Sequence, residues 1–260
     1  MKVAVCISGQ PRMALEAFPN IKKFIIEPNK ADVFIHMHFD KDALYMDKSH
    51  ADKGHCVLDP KIDMHVLEMY NPTRYLVETP RNFLRPNIKC SENRIRRSAE
   101  MNNHRKWTEE QHVQYTIKQM SSMYYSIYKC NELKELYANE NGIVYDYVIR
   151  LRFDSLPNAP LVCSEYDPNF IYYQEIGQPD DLISDWVNFG SNAIMNVYAS
   201  MYLNMEYLNT FRYYKQTERL PNTLEPSSEC GGLYEYMLRD LMHLYKIPKH
   251  PFNIGLGLIQ

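Results

Sequence analysis

The chain lacks most of the short signatures that would assign it at once. No stretch of its 260 residues reaches the roughly 18 uninterrupted apolar residues of a membrane span. The opening run, Met1 to Gly9, has too short an apolar core for a secretory leader and enters a turn directly. Six cysteines (Cys6, Cys56, Cys90, Cys130, Cys163 and Cys230) are scattered with no C-x-x-C pair, which disfavours a disulfide frame or a zinc ribbon and fits reduced thiols. There is no basic excess: a formal net charge of -3 excludes a general nucleic-acid binder, so any anionic ligand must be held by a local basic cluster. The G-x-G-x-x-G fingerprint is absent, as is the G-K-[ST] ending of a phosphate-binding loop. These absences lead to the expectation of a soluble, cytoplasmic protein without a transmembrane segment.

What is present reads as alternating strands and helices. Val3 to Ile7 is a continuous apolar run bounded by Ser8-Gly9-Gln10-Pro11, the pattern of a parallel strand buried on both faces. Leu15, Phe18, Ile21 and Ile25 follow at helical steps, with Pro19 expected to interrupt or kink the helix. Val33 to Ile35 and Arg74 to Glu78 read as strands, residues 61–70 as a helix, and residues 45–60 as a polar loop or excursion. Residues 89–108 are charged and poorly periodic, and are read as a lid or a connection. The clearest helix spans about 110–137, its inner stripe marked by Val113, Ile117, Met120, Tyr124, Ile127, Cys130 and Leu133, with Gly142 supplying the stop. The second half adds strands near 170–174 and 186–189 and helices near 192–209 and 230–245. With no internal repeat and no linker, one α/β domain with a mostly parallel sheet and flanking helices is expected. Its two parts would run over about 1–155 and about 156–260.

The most informative segment is Tyr145-Asp146-Tyr147-Val148-Ile149-Arg150-Leu151-Arg152-Phe153-Asp154. Read as one strand, it places Arg150, Arg152 and Asp154 on one face over roughly 13 Å at about 3.3 Å per residue. Two guanidiniums and a carboxylate in such a row suit a diphosphate, because the arginine fork donates paired hydrogen bonds. An ion-paired sheet edge is the plainer alternative. Ligands of open α/β sheets bind beyond the carboxyl ends of the strands. At the first such end Gly9 admits a close backbone approach, Ser8 and Gln10 offer hydrogen bonds to a base or ribose, and Arg12 can reach a phosphate; a simple strand-to-helix turn is the alternative. In the second-strand segment Asp32–Asp40, a carboxylate or imidazole just past the strand end could contact a nucleotide. His36 and His38 share a face, but no third ligand stands at a usual zinc spacing. Asp185, just before an apolar strand, is a candidate base. Glu229, ahead of the last helix, is a second candidate base or an ordinary helix-capping acid.

Three of these segments, V-A-V-C-I-S-G-Q-P-R, D-V-F-I-H and Y-D-Y-V-I-R-L-R-F-D, occur in this order in a family that the chain resembles. These are small glycosyltransferase-like proteins of bacterial surface-polysaccharide loci and large DNA viruses, similar to the WavE-type lipopolysaccharide-synthesis proteins. The Asp185–Tyr198 segment looks like the family's D-x-x-x-x-G-S-x-x-x-M-x-x-Y block, and the segment from Ser228-Glu229 to Leu238 looks like its final P-E-x-x-L helix. The resemblance covers most of the chain outside residues 45–60 and 89–108. It implies a GT-A fold, a Rossmann-like sheet that takes a nucleotide-sugar donor and passes the sugar to a glycan or glycoconjugate acceptor in surface or capsid glycan synthesis, in the host cytoplasm if the chain is viral.

In GT-A enzymes an acidic D-x-D motif at a strand end binds a divalent metal on the diphosphate. Here Arg152-Phe153-Asp154 takes that position, so the first acid is missing. Two readings follow. Asp154 holds Mn²⁺ or Mg²⁺ through water, which is the preferred one, or Arg150 and Arg152 neutralise the diphosphate unaided. The expected donor-binding group is Ser8, Gly9, Gln10, Arg12, Asp32, Arg150, Arg152 and Asp154, with Asp154 also the metal ligand. The expected catalytic group is Asp185, Glu229 and Arg152. A catalytically degenerate sugar- or nucleotide-binding protein is the alternative, and a sulfotransferase or nucleotide kinase a third, disfavoured because Ser8-Gly9-Gln10-Pro11 lacks a lysine.

Overall fold

The computed structural model describes residues 1–47, 55–83, 85, 87–88, 92–101, 106–175, 183–217, 233–255 and 257–258. The chain opens with β1 (Val3–Gly9), α1 (Ala14–Ile21), a π-helical turn over Lys22–Ile26, α2 (Glu27–Asn29) and β2 (Asp32–His38). The pair β3 (Tyr45–Asp47) and β4 (His55–Val57) precedes α3 (Ile62–Tyr70) and β5 (Arg74–Glu78). Two helices, α4 (Glu92–Met101) and α5 (Glu109–Asn141), lead to β6 (Tyr147–Leu151) and β7 (Ser155–Leu156). The rest is β8 (Ile171–Gln174), β9 (Val187–Ser191), α6 (Asn192–Ala199), α7 (Met201–Thr217), α8 (Leu233–Leu244), β10 (Lys249–Phe252) and β11 (Gly257–Leu258).

Seven strands make one sheet in the order β10-β8-β9-β6-β1-β2-β5, mostly parallel, with β9 alone antiparallel to its neighbours. The continuous apolar run of β1 is explained by its central place, since both of its faces are covered. Odd residues Val3, Val5 and Ile7 join α1 and α3 in one core; Ala4 and Cys6 join α5, α6, α7 and α8 in the other. The domain is therefore the expected mixed α/β sandwich, a mostly parallel sheet with helices on both faces.

Helix α5 starts where its caps dictate. The Thr108 hydroxyl accepts from the Gln111 amide and the Gln111 side chain accepts from the Thr108 amide, a capping box; Gly142 ends the helix at φ 62°. Pro19 lies inside α1, and the helix widens into the π turn immediately after it. Two regions carry more regular structure than their sequence pattern indicates. Residues 45–60 carry the β3–β4 hairpin strands as well as loop. The charged region 89–108 includes a ten-residue helix, α4, whose Ser98 is buried and bonded to His112 of α5 at 3.1 Å. Arg96 and Glu100 are exposed on it while Ser98 is buried, and a helix with this many charged residues shows no simple apolar period in the sequence.

The arginine-bearing segment also differs from a single strand. β6 stops at Leu151, and Arg152 to Ser155 form a turn in which the Ser155 amide donates to the Arg152 carbonyl and the Arg152 amide to Ser155 Oγ. The straight 150/152/154 row therefore breaks after Arg150.

Candidate functional site

From β1 the chain builds outward to β2 and β5 on one side, then returns to β6 on the other. That reversal opens a crevice beyond the carboxyl ends of β1 and β6, the usual ligand position in an open α/β sheet. Gly9 ends β1 with φ +126°, a conformation that L residues rarely adopt, and among the described residues other than its chain neighbours no atom lies within 4 Å of where its Cβ would stand. The backbone here is thus approachable. Ser8 is buried on the α5 side of the sheet, and its Oγ has no hydrogen-bond partner among the described residues.

Across the crevice, the turn after β6 folds Arg152 back on Asp154. Arg152 Nε donates to Asp154 Oδ1 at 2.8 Å and Nη2 to Oδ2 at 2.7 Å, a bidentate pair in which Asp154 is almost wholly buried. The antiparallel register, Leu151 with Val187, brings Asp185 to the same edge, where its Oδ2 lies 3.7 Å from Arg152 Nη1. Arg12, from the turn after β1, acts electrostatically on both Arg152 and Asp154. Burial works against the Asp154 carboxylate, but the charge and hydrogen bonds of Arg152, with Arg12 behind them, hold its pKa below the usual range. Burial likewise works against the Arg152 cation, and Asp154 and Asp185 together outweigh it, raising its pKa. Four of the expected residues, Arg12, Arg152, Asp154 and Asp185, are therefore one charge cluster.

Arg150 takes a different place. Paired with Cys6 on one side and Asn188 on the other, it is buried near the Tyr198 hydroxyl of α6, which donates to Asn188 Oδ1 at 2.8 Å. Its Nε and Nη1 have no partner among the described residues. Arg150 thus stays in the strand, opposite Asn188, out of the row that Arg152 and Asp154 were expected to share with it.

Asp32 is a correction. It opens β2 instead of following it, pairs with Ala4 near the start of β1, and binds Tyr145 Oη at 2.7 Å and Lys2 Nζ at 3.4 Å. A seven-residue strand at about 3.3 Å per residue separates it from the crevice by roughly 20 Å. Glu229 lies outside the described residues. The metal expected on Asp154 does not suit its surroundings either. Both carboxylate oxygens are taken by one guanidinium and a second guanidinium acts on the same group, so a divalent cation would have to displace Arg152 against like charge.

A second cluster escaped the sequence. The carboxyl end of β2 bears His36 and His38 on one face, and the parallel register with β5 sets Glu78 beside His38. The donor atoms of these three residues lie within 4.8 Å of one another, a group able to hold a metal ion. His36 Nε2 is 3.0 Å from Glu78 Oε1, while Arg81 Nη2 donates to Glu78 Oε2 at 2.8 Å. The signal was the i, i+2 histidine pair; its third member stands 40 residues further along the chain and is adjacent only through strand pairing.

No family model matches the chain, and no curated protein does. Among solved structures, a glycosyltransferase involved in the glycosylation of the major capsid of PBCV-1 overlaps with 97% of this chain and 82% of its own, at 10% identity and a TM-score of 0.31. A likeness that loose assigns no residue, substrate or reaction. Among the described residues, no helix is long and apolar enough to cross a membrane.

Proposed function

We propose that the chain transfers a sugar from a nucleotide diphosphate sugar to a hydroxyl of a glycan or glycoconjugate, in the synthesis of a surface or capsid glycan. The observation that supports it is the Arg12–Asp154–Arg152–Asp185 cluster at the carboxyl-end crevice of a switch-point sheet. Breaking the sugar–phosphate bond puts negative charge on the departing diphosphate, and preorganised cations are the main means of stabilising that state. Arg12 and Arg152 supply them. Asp154 positions Arg152, holding its guanidinium by two hydrogen bonds and leaving Nη1 toward Asp185. Asp185 is the base for the acceptor hydroxyl. Ser8, Gly9 and Gln10 shape the nucleotide pocket, with the open space at Gly9 admitting the ligand to the backbone. The diphosphate is handled by arginine alone in this scheme.

One observation favours a second reading, a sugar- or nucleotide-binding protein without turnover: Arg152 is already neutralised by two carboxylates. Thermal unfolding with UDP-, GDP-, ADP- and dTDP-sugars separates the readings, because a ligand of the native state raises the midpoint. The transferase reading expects a shift with one nucleotide class, lost in Arg152→Lys, together with release of that nucleoside diphosphate when acceptor is added. A shift without release leaves the binding protein. No shift with any donor rejects both.

A further inference from the structure

We propose that His36, His38 and Glu78 form a binding site for one first-row divalent transition ion, with zinc the best fit, separate from the arginine cluster. Two imidazoles and one carboxylate are a recurrent donor set for zinc and its neighbours, while magnesium and calcium prefer all-oxygen shells. The ligand atoms span no more than 4.8 Å, and zinc bond lengths of about 2.0–2.2 Å need only a modest inward closure.

The independent sign of a missing ligand is His38 Nε2. The residue is 1% exposed, yet this nitrogen has no hydrogen-bond partner among the described residues. A buried polar atom left so costs about 1–3 kcal/mol, and a metal bond removes the deficit. The other nitrogen of each ring is already engaged. His36 Nδ1 is 2.6 Å from Ser126 Oγ, and His38 Nδ1 is 3.1 Å from Ser122 Oγ. Ser122 and Ser126 stand one turn apart on α5, so a single helix face orients both imidazoles with Nε2 turned inward, the role that outer-shell partners fill in metal sites. Tyr125, between them, stacks on His38 with centroids 5.9 Å apart. Arg81 holds Oε2 of Glu78, while Oε1 pairs with His36 Nε2 at 3.0 Å, a contact that an ion bound between the two ligands would replace.

The solvent-facing member of the group is Glu78. Glu78 is 18% exposed, and Arg81 lines a shallow cleft of about 410 Å³ with Asn82, Phe83, Arg85, Tyr202 and Glu206. Three protein ligands leave a fourth position of a tetrahedral ion for water. Ser8, paired with His36 on the neighbouring strand and with its Oγ unsatisfied, is a polar group on that side of the sheet.

The test is metal titration of the full chain after chelator treatment and dialysis. Zn²⁺ is followed by calorimetry and Co²⁺ by its visible absorption, in wild type, His38→Phe, Glu78→Gln, Ser122→Ala and Asp154→Asn. The expected result is one saturable equivalent, visible cobalt bands, and a raised thermal midpoint. His38→Phe and Glu78→Gln should abolish that equivalent, Ser122→Ala should weaken it about 10–100-fold, and Asp154→Asn should leave it intact. Circular dichroism and the metal-free midpoint of each variant establish that the loss is local. Absence of a stoichiometric equivalent in wild type overturns the proposal. So does a site that survives in folded His38→Phe, or one that disappears in Asp154→Asn instead.

Discussion

Two polar clusters share the carboxyl edge of one sheet, and they are finished to different degrees. In the turn after β6, Arg152 and Asp154 satisfy each other through two short hydrogen bonds, and Asp185 faces the remaining nitrogen. At the ends of β2 and β5, His38 keeps a buried nitrogen with no partner among the described residues, beside a carboxylate whose second oxygen is engaged elsewhere. A completed buried ion pair is a preorganised surface for a ligand that brings its own charge. An incomplete donor set leaves a buried nitrogen whose hydrogen-bonding capacity is unmet, a deficit that a bound ion would remove. The same edge therefore offers two kinds of chemistry, and removing one side chain should have opposite consequences at the two places.

The largest effect is expected at the completed pair. Arg152→Met leaves Asp154 buried without its counter-charge and should destabilise the fold by about 3–5 kcal/mol in urea unfolding. Adding Asp154→Asn should recover part of that loss, since the uncompensated charge goes with it. If the double variant is no more stable than the single one, the pair is not coupled as the geometry requires. Next comes Asp185→Asn, which keeps shape and removes the base. Sugar transfer should fall about 10²–10⁴-fold, with the unfolding midpoint little changed. Loss of fold with loss of activity would make Asp185 a counter-ion of Arg152 only.

The third prediction uses pH. The Asp154 carboxyl is held below the ordinary range because Arg152 and Arg12 overcome the opposing effect of burial. A depressed native pKa stabilises the fold above the unfolded value, about 3.9 for Asp, and that contribution is lost as pH falls through the native value. The stability advantage of wild type over Asp154→Asn should therefore be full above about pH 4 and shrink below it. An advantage independent of pH between 2 and 7 would show that hydrogen-bond shape, not charge, is what Asp154 contributes.

The contrast between the clusters also explains what could be read from the chain. β1, β2, β5 and α5 were legible because Val3–Ile7, Val33–Ile35, Arg74–Glu78 and the stripe from Val113 to Leu133 are local patterns of period 2, apolar run, or 3.6. Arg12, Arg152 and Asp154 were singled out at strand ends and Asp185 just ahead of an apolar strand, and the fold brings the four to one edge. The turn at Arg152 was missed because alternation continues through Phe153 in the sequence, while hydrogen bonding stops at Leu151. Asp32 stands at the amino end of β2, away from the carboxyl-end crevice. α4 was hidden by its charges. Glu78 carries no local mark at all: its partnership with His38 is a fact of parallel register, which no window shorter than 40 residues contains.

The smallest effect, and the sharpest contrast, is expected at His38. In a chelated sample His38→Phe removes a buried nitrogen that has no hydrogen-bond partner among the described residues and keeps a ring to stack on Tyr125. It does give up the contact with Ser122, but that hydroxyl is part-buried and can turn to water. Deleting an unsatisfied buried group is nearly neutral or stabilising, so the metal-free midpoint should change by less than about 1 kcal/mol in equivalent stability. With zinc present the order should reverse, because only wild type gains the binding free energy of the ion. Arg152→Met should show no such reversal. A large metal-free loss in His38→Phe would mean that the nitrogen was satisfied after all, by an ordered water, and the two clusters would then be alike in being complete.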